Sequence, residues 1–280
     1  MKIAVSVEST NDLSKELLNK YDIKVVPFTI SIKDKIFKDG EYTTEEVFRM
    51  SEEAGVLPKT TAINEFEYAE YFNGLLTEYD QVVHICLSSG FSSTYSNAKN
   101  ASLKLENVFV VDSQTLSTGI GLLAIYAREL VDQGLTGEQI KEKLDERKSK
   151  LQVSFVVERL DYLHKGGRCT GFQLLGANLL KIRPKILVQD GKMGQDSSVR
   201  YRGDMGRVME KYANDVFTKY PTPDLERVFI TYTSATPEMR VALITACKKM
   251  GFKHIHETFA GATIGSHCGA NTMGLLFYTV

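Results

Sequence analysis

Gln81-Val82-Val83-His84-Ile85-Cys86-Leu87-Ser88-Ser89-Gly90-Phe91-Ser92-Ser93-Thr94 sets an apolar run directly against a run of hydroxyls. The first seven residues predict a buried strand. The polar residues after them predict the turn into a helix. The same order recurs on either side of this stretch. Lys2 to Val7 is an apolar run followed by Ser9-Thr10-Asn11-Asp12 and a helical stretch from Leu13 to Tyr21. Asn107 to Val111 is followed by Asp112-Ser113-Gln114-Thr115 and a further helix. Ile23 to Ile32, rich in β-branched residues, reads as one strand. Thr43-Thr44-Glu45-Glu46 and Asn64 to Glu67 place an acid three residues after a capping side chain, and the first of these helices stops at Gly55. Thr136-Gly137-Glu138-Gln139 opens a helix over Ile140 to Lys150. Repeated strand-then-helix order implies a mostly parallel sheet covered on both faces by helices.

Beyond residue 150 the order changes. Strands are expected at Leu151 to Val157, Pro184 to Val188, Lys192 to Tyr201, Arg227 to Thr233, Lys253 to Phe259 and Met273 to Val280. Helices are expected around Leu174 to Ile182 and over Pro237 to Met250. Asp190-Gly191 is the strongest hairpin signal in the chain. A hairpin among crossovers implies a mixed sheet. The expected fold is therefore two α/β domains, 1–150 with a mostly parallel sheet flanked by helices and 151–280 with a mixed sheet and helices.

Composition narrows the function classes. Lys and Arg total 34 against 35 Asp and Glu, which gives no electrostatic reason to expect nucleic acid as a partner. The N-terminus meets Glu8 too early for a secretion signal, and no apolar run approaches the roughly 18 residues of a membrane span. Cys86, Cys169, Cys247 and Cys268 are scattered without CxxC pairing, against a disulfide framework or structural zinc. The reading is a cytoplasmic protein without a metal or cofactor.

In an open parallel sheet, ligands lie beyond the carboxyl ends of the strands. Ser9, Thr10, Ser88, Ser89, Ser92, Ser93, Thr94 and Asp112 to Thr115 all fall there, and Thr60 and Thr61 precede the Asn64 helix. Each hydroxyl also suits a helix cap, but their density around Ser88 to Thr94 points to a site for a small anionic group. Gly261, Gly265, Gly269 and Gly274 surround Thr263, Ser266, His267 and Asn271, which allows close backbone approach around one histidine. Neither this run nor Lys165-Gly166-Gly167-Arg168 has nucleotide-loop spacing. Two catalytic alternatives were weighed. A hydrolase or phosphotransferase would use the Ser92/Ser93 cluster and His267, but no GxSxG elbow is present. A metal site would use His254 and His256 with His267 or Cys268, without a confirming ligand spacing.

Several pieces, taken in order, resemble the DegV family: Ser9 to Leu13, Thr60-Thr61 after Pro58, Leu87 to Tyr95, Val110 to Ser113, Tyr162 to Arg168, Arg183-Pro184 with Asp190-Gly191, and Gly265-Ser266-His267-Cys268-Gly269. The resemblance implies a non-catalytic lipid carrier with a long-chain fatty acid in the cleft between the domains, 1–150 carrying the hydroxyl-rich carboxylate site and 151–280 forming the acyl-chain pocket. Thr60, Thr61, Ser92, Ser93, Thr94, Gly265 and His267 would hold the carboxylate. It further implies a separate fatty acid kinase subunit, to which the carboxylate is presented, and a downstream acyltransferase that receives the acyl phosphate, with transient membrane contact allowed. Arg168 and Arg202 would lie on the surface meeting the partner or its phosphates. The chain departs from the family pattern at Glu8, Ala62, Ile63, Ser93 and Cys268.

Overall fold

The computed structural model describes residues 1–170 and 182–280. The first sheet is wholly parallel, in the order β2 (Ile23–Val26), β1 (Ile3–Glu8), β6 (Gln81–Cys86), β7 (Val108–Asp112). Every residue of β1 is buried, as a central strand covered on both faces must be. Helices α1 (Lys15–Lys20), α3 (Glu65–Leu76), α4 (Thr94–Ser102), α5 (Thr118–Asp132) and α6 (Gly137–Arg147) cross over between strands or follow them. A small antiparallel sheet, β4 (Lys35–Lys38), β3 (Thr29–Ile32), β5 (Lys59–Thr61), carries α2 (Thr44–Ala54) against it.

The larger sheet is mixed. Its order is β15 (His254–Phe259), β14 (Pro223–Tyr232), β16 (Met273–Thr279), β8 (Leu151–Val156), β11 (Lys185–Gln189), β12 (Lys192–Gln195), β9 (Cys169–Thr170). The pairs β14/β15 and β12/β9 are parallel and the rest antiparallel. A two-stranded ribbon joins β10 (Ile182–Arg183) to β13 (Tyr201–Arg202). Among the described residues, four helices complete this half: α7 (Asp161–Gly166), α8 (Met205–Lys219), α9 (Pro237–Met250) and α10 (Ala262–Cys268).

The cores explain how the layers stack. Helix α5 is apolar nearly all round, with Gly119 to Ile125 buried without a break, and packs on β1 and β6 on one side and on β16 on the other. The core built on the parallel sheet therefore runs on into Val153, Phe155, Ile186, Val188 and Leu276 of the mixed sheet. A second core lies between the mixed sheet and helices α8 and α9.

Local signals set most boundaries. The capping boxes at Thr43, Asn64 and Thr136 are all formed, and Gly55 ends α2 in the left-handed conformation. Asp190 and Gly191 make the two-residue turn with positive φ at both positions, pairing Gln189 with Lys192. Three expectations need correction. Ile23 to Ile32 is two strands in different sheets. Pro27 lacks an amide to donate to a ladder, and the chain leaves the parallel sheet there. Lys192 to Tyr201 is interrupted after Gln195, where the Asp196 carboxylate accepts from the Ser198 amide and hydroxyl and turns the chain. The helix expected from Leu13 begins at Lys15, because Ser14 caps it. Of the apolar helix expected over Leu174 to Ile182, residues 174–181 lie outside the described residues, and Ile182 belongs to β10.

The hairpin turn is seated on the serine loop. Ser88 Oγ donates to the Gly191 carbonyl at 2.7 Å, and a Cβ on Gly90 would lie 2.2 Å from that carbonyl oxygen. Gly90→Ala should therefore force backbone apart and destabilise the protein by about 1–3 kcal/mol. Urea unfolding of the two proteins measures this, and an unchanged midpoint would contradict the contact.

Candidate functional site

A cavity of about 460 Å³ opens where the two halves meet. From residues before 150 come Phe28, the β5 segment Thr60-Thr61-Ala62, Leu87, Phe91, Ser92, Ser93, Asn97 and Leu116. From the other half come Arg168, Met193 and the α10 residues Thr263, Ile264, His267 and Cys268. The lining divides by chemistry. Thr61, Ser93 and Arg168 are exposed, and Thr60, Ser92 and His267 are half-buried. Phe28, Leu87, Phe91, Leu116 and Met193 are buried and give the cavity apolar walls. The apolar wall is thus drawn from both halves. Leu116, Ile264 and Cys268 also line a second, nearly wholly apolar cavity of about 30 Å³ reaching toward Val153, Phe155 and Leu276.

The hydroxyl end is held by a buried carboxylate. Glu8, the last residue of β1, accepts hydrogen bonds from the Tyr68 hydroxyl, from Thr94 Oγ1 at 2.8 Å and from the Leu87 amide at 2.7 Å. Leu87 and Thr94 bracket the serine loop, so one side chain fixes both of its ends. Burial pushes the Glu8 carboxyl up from its ordinary range, against the hydrogen bonds that favour its charged form. Glu8, His84 and Cys86 each bring one ligand-type atom within 4.8 Å of the others. The Glu8 oxygens, however, already accept from protein donors, and His84 Nδ1 is engaged by Ser6 Oγ at 2.9 Å. The cluster is a hydrogen-bonded network.

Carboxylates of the other half-site elements fix α10. Asp12 accepts from the Gly261 amide at 2.8 Å, and Asp39 from the amides of Ala262 and Thr263 at 3.1 and 3.3 Å. This satisfies the unpaired amides at the start of the helix and presents Thr263, Ile264, His267 and Cys268 to the cavity. At the other end of α10, His267 Nε2 meets Thr60 Oγ1 at 2.8 Å, while a Cβ on Gly166 would lie 2.7 Å from Nδ1. Burial, with the Arg168 charge adding to it, depresses the imidazole pKa to about 4. It is a neutral hydrogen-bonding group at pH 7.

The structure thus brings Thr60, Thr61, Ser92, Ser93, His267 and Arg168 to one cavity. Thr94 lies beneath it, fully buried against Glu8 and Tyr68. Gly265 is on the opposite side of α10, where its missing side chain admits Thr44 and Phe48 of α2. Arg202 is exposed on β13, outside the cavity lining. His254 and His256 share a face of β15, as their spacing implied, His254 facing Glu226 and His256 stacked on Phe229. Sequence reasoning did not single out Phe28, Phe91, Leu116, Met193 or Ile264 as cavity residues. A buried aromatic just after a strand-breaking Pro27, and another inside the serine loop, were the available signals.

A sequence profile described as "Uncharacterised protein, DegV family" matches residues 2–280. The chain belongs to the DegV family. A DegV-related "Fatty acid-binding protein" of Thermotoga maritima is 32% identical over 287 residues, covering 98% of this chain and 96% of its own. A DegV family protein from Thermus thermophilus, whose solved structure is described as showing fatty acid binding, superposes with a TM-score of 0.90 at 25% identity over 100% of both chains. A stearic acid-binding protein from Eubacterium ventriosum superposes with a TM-score of 0.81 at 26% identity, covering 99% of this chain and 98% of its own. Among the described residues of the DegV chain, no helix is long and apolar enough to cross a membrane.

The depressed histidine has a stability consequence of definite sign. An unfolded histidine protonates near about pH 6.5, whereas folded His267 resists until about pH 4. The unfolded chain therefore takes up the proton first, and this contribution to stability, complete above about pH 6.5, is lost as pH falls toward 4. His267→Gln should flatten the fall in unfolding free energy across that window. An identical slope in both proteins would contradict the buried neutral imidazole.

Proposed function

We propose that this chain is a non-catalytic carrier of a long-chain fatty acid. Its carboxylate is held by Thr60, Thr61, Ser92, Ser93 and His267 at the open end of the cavity, and its tail runs along Phe28, Leu87, Phe91, Leu116, Met193 and Ile264. The observation that carries this reading is a single cavity lined both by hydroxyls with an imidazole and by buried apolar side chains. The fatty acid named for its relatives supports it. In this reading the protein works in the cytoplasm, residues 1–150 supply most of the head-group contacts, and residues 151–280 close the pocket over the tail.

The magnitudes assign the roles. A chain of about 16 carbons buries roughly 14 methylenes, worth on the order of 11 kcal/mol before the costs of association. Each neutral hydrogen bond to the head contributes only about 0.5–1.5 kcal/mol. The tail supplies affinity and the head group supplies direction. Because the head is held by neutral donors at an exposed mouth, its oxygens stay within reach of a second protein. The partner we infer is a separate fatty acid kinase subunit, with Arg168 and Arg202 on the facing surface and an acyltransferase receiving the acyl phosphate. Holding is favoured over hydrolysis because, among the described residues, His267 Nδ1 has no hydrogen-bond partner, so no carboxylate orients the ring as a general base.

Native mass spectrometry of the purified protein, followed by organic extraction, tests the ligand: a stoichiometric fatty acid is expected. A protein that carries none and takes up none when offered would overturn the reading. The Thr61→Ala, Ser93→Ala double variant should lose at least about tenfold in fatty acid affinity, two neutral hydrogen bonds' worth. Its affinity for the matching fatty alcohol should change less, and equal losses for both ligands would place the head group elsewhere.

A further inference from the structure

Thr263 is a polar residue that the cavity does not otherwise account for. It lines the cavity, is 3% exposed, and among the described residues its Oγ1 has no hydrogen-bond partner. Such an atom costs about 1–3 kcal/mol of unrecovered desolvation, so it calls for a reason. Other hydroxyls nearby are satisfied in the usual helical way. Ser266 Oγ donates to the Ala262 carbonyl at 2.6 Å, and Thr272 Oγ1 to the Cys268 carbonyl at 2.9 Å. Thr263 stands in the first turn of α10, where no helical carbonyl lies four residues behind it, and its backbone amide is already taken by Asp39. A valine would fill the same shape without the penalty.

Its place along the cavity gives the hydroxyl a use. Thr263 and His267 are four residues apart, on one face of α10 and about 6 Å apart along its axis. Both residues line the same cavity. A ligand with its carboxylate at His267 and its tail along this face of α10 passes Thr263 within its first few carbons. As placed, Thr263 Oγ1 has almost no accessible surface, and threonine in a helix divides between two χ1 wells, so meeting a ligand takes one rotamer step.

We propose that Thr263 receives a second oxygen on the acyl chain, so that the ligands of this protein include fatty acids with a hydroxyl or oxo group close to the carboxylate. This rests on the fatty acid reading above. A ligand hydroxyl can both donate to and accept from Thr263, whereas a plain methylene leaves it unpaired. Sites built to pair a substrate hydroxyl discriminate against analogues that lack it.

The test compares hexadecanoic acid with its 2-hydroxy and 3-hydroxy derivatives on the wild-type protein, Thr263→Val and Thr263→Ser, by displacement of a fluorescent fatty acid. For at least one hydroxy acid, the affinity relative to the plain acid should fall at least fivefold in Thr263→Val and be kept in Thr263→Ser. The same ratio in all three proteins overturns the inference while leaving the fatty acid reading intact. So does a loss in Thr263→Val that is equal for plain and hydroxylated acids, since the hydroxyl would then serve the carboxylate or the fold. If none of the acids binds the wild-type protein, the fatty acid reading falls and takes this inference with it.

Discussion

A carboxylate buried at the end of the central strand, with no ion-pair partner among the described residues, is the constraint on which the site is built. Glu8 is 0% exposed, and its oxygens are met by hydrogen bonds from a tyrosine, a threonine and a backbone amide. Taking a carboxylate out of water is costly unless its lone pairs are met, so those donors are not free to move. Two of them are the ends of the serine loop. The hydroxyls of Ser92 and Ser93 are therefore positioned by an interaction beneath the cavity that never touches its interior. The same economy recurs across the cleft, where Asp12 and Asp39 hold the start of α10 and thereby place His267.

The two sides of the cleft are held differently. On the polar side Thr94, which ends the serine loop, is fixed by buried Glu8, and Thr60 is paired with His267. The apolar wall is made of side chains from strand ends, α10 and the β11–β12 hairpin, among them Met193, whose unbranched side chain adapts to irregular shapes. Because the hairpin turn rests on Ser88 and Gly90, the wall and the serine loop are mechanically joined. A displacement at Met193 therefore has a direct mechanical path to the serine loop.

The parallel sheet, the three capping boxes and the Asp190-Gly191 hairpin were legible in the sequence because each depends on residues within a few positions of one another. So was the clustering of hydroxyls beyond the strand ends, which follows from fold geometry alone. What was not legible depends on partners far apart in the chain. Glu8 reads as an ordinary acid until Tyr68 and Thr94 fold onto it, and the apolar wall needs Phe28, Leu116 and Ile264 to converge. The fifteen-residue helix α8 is a different case: Asp204 caps it and Met205, Val208, Met209, Tyr212 and Val216 have helical spacing, so its signal is present in the sequence. At Pro27 a missing amide outweighs β-branched composition and divides the strand.

The carboxylates at the start of α10 also bear on what the helix can offer to a ligand. A helix N-terminus is ordinarily the place where an anion settles, but here those amides belong to Asp12 and Asp39. The opposite end presents a neutral imidazole hydrogen-bonded to Thr60. The usual anion-attracting end of the helix is thus given over to the protein's own acids, so the donors that α10 offers to an outside oxygen come from side chains near His267 and not from the backbone.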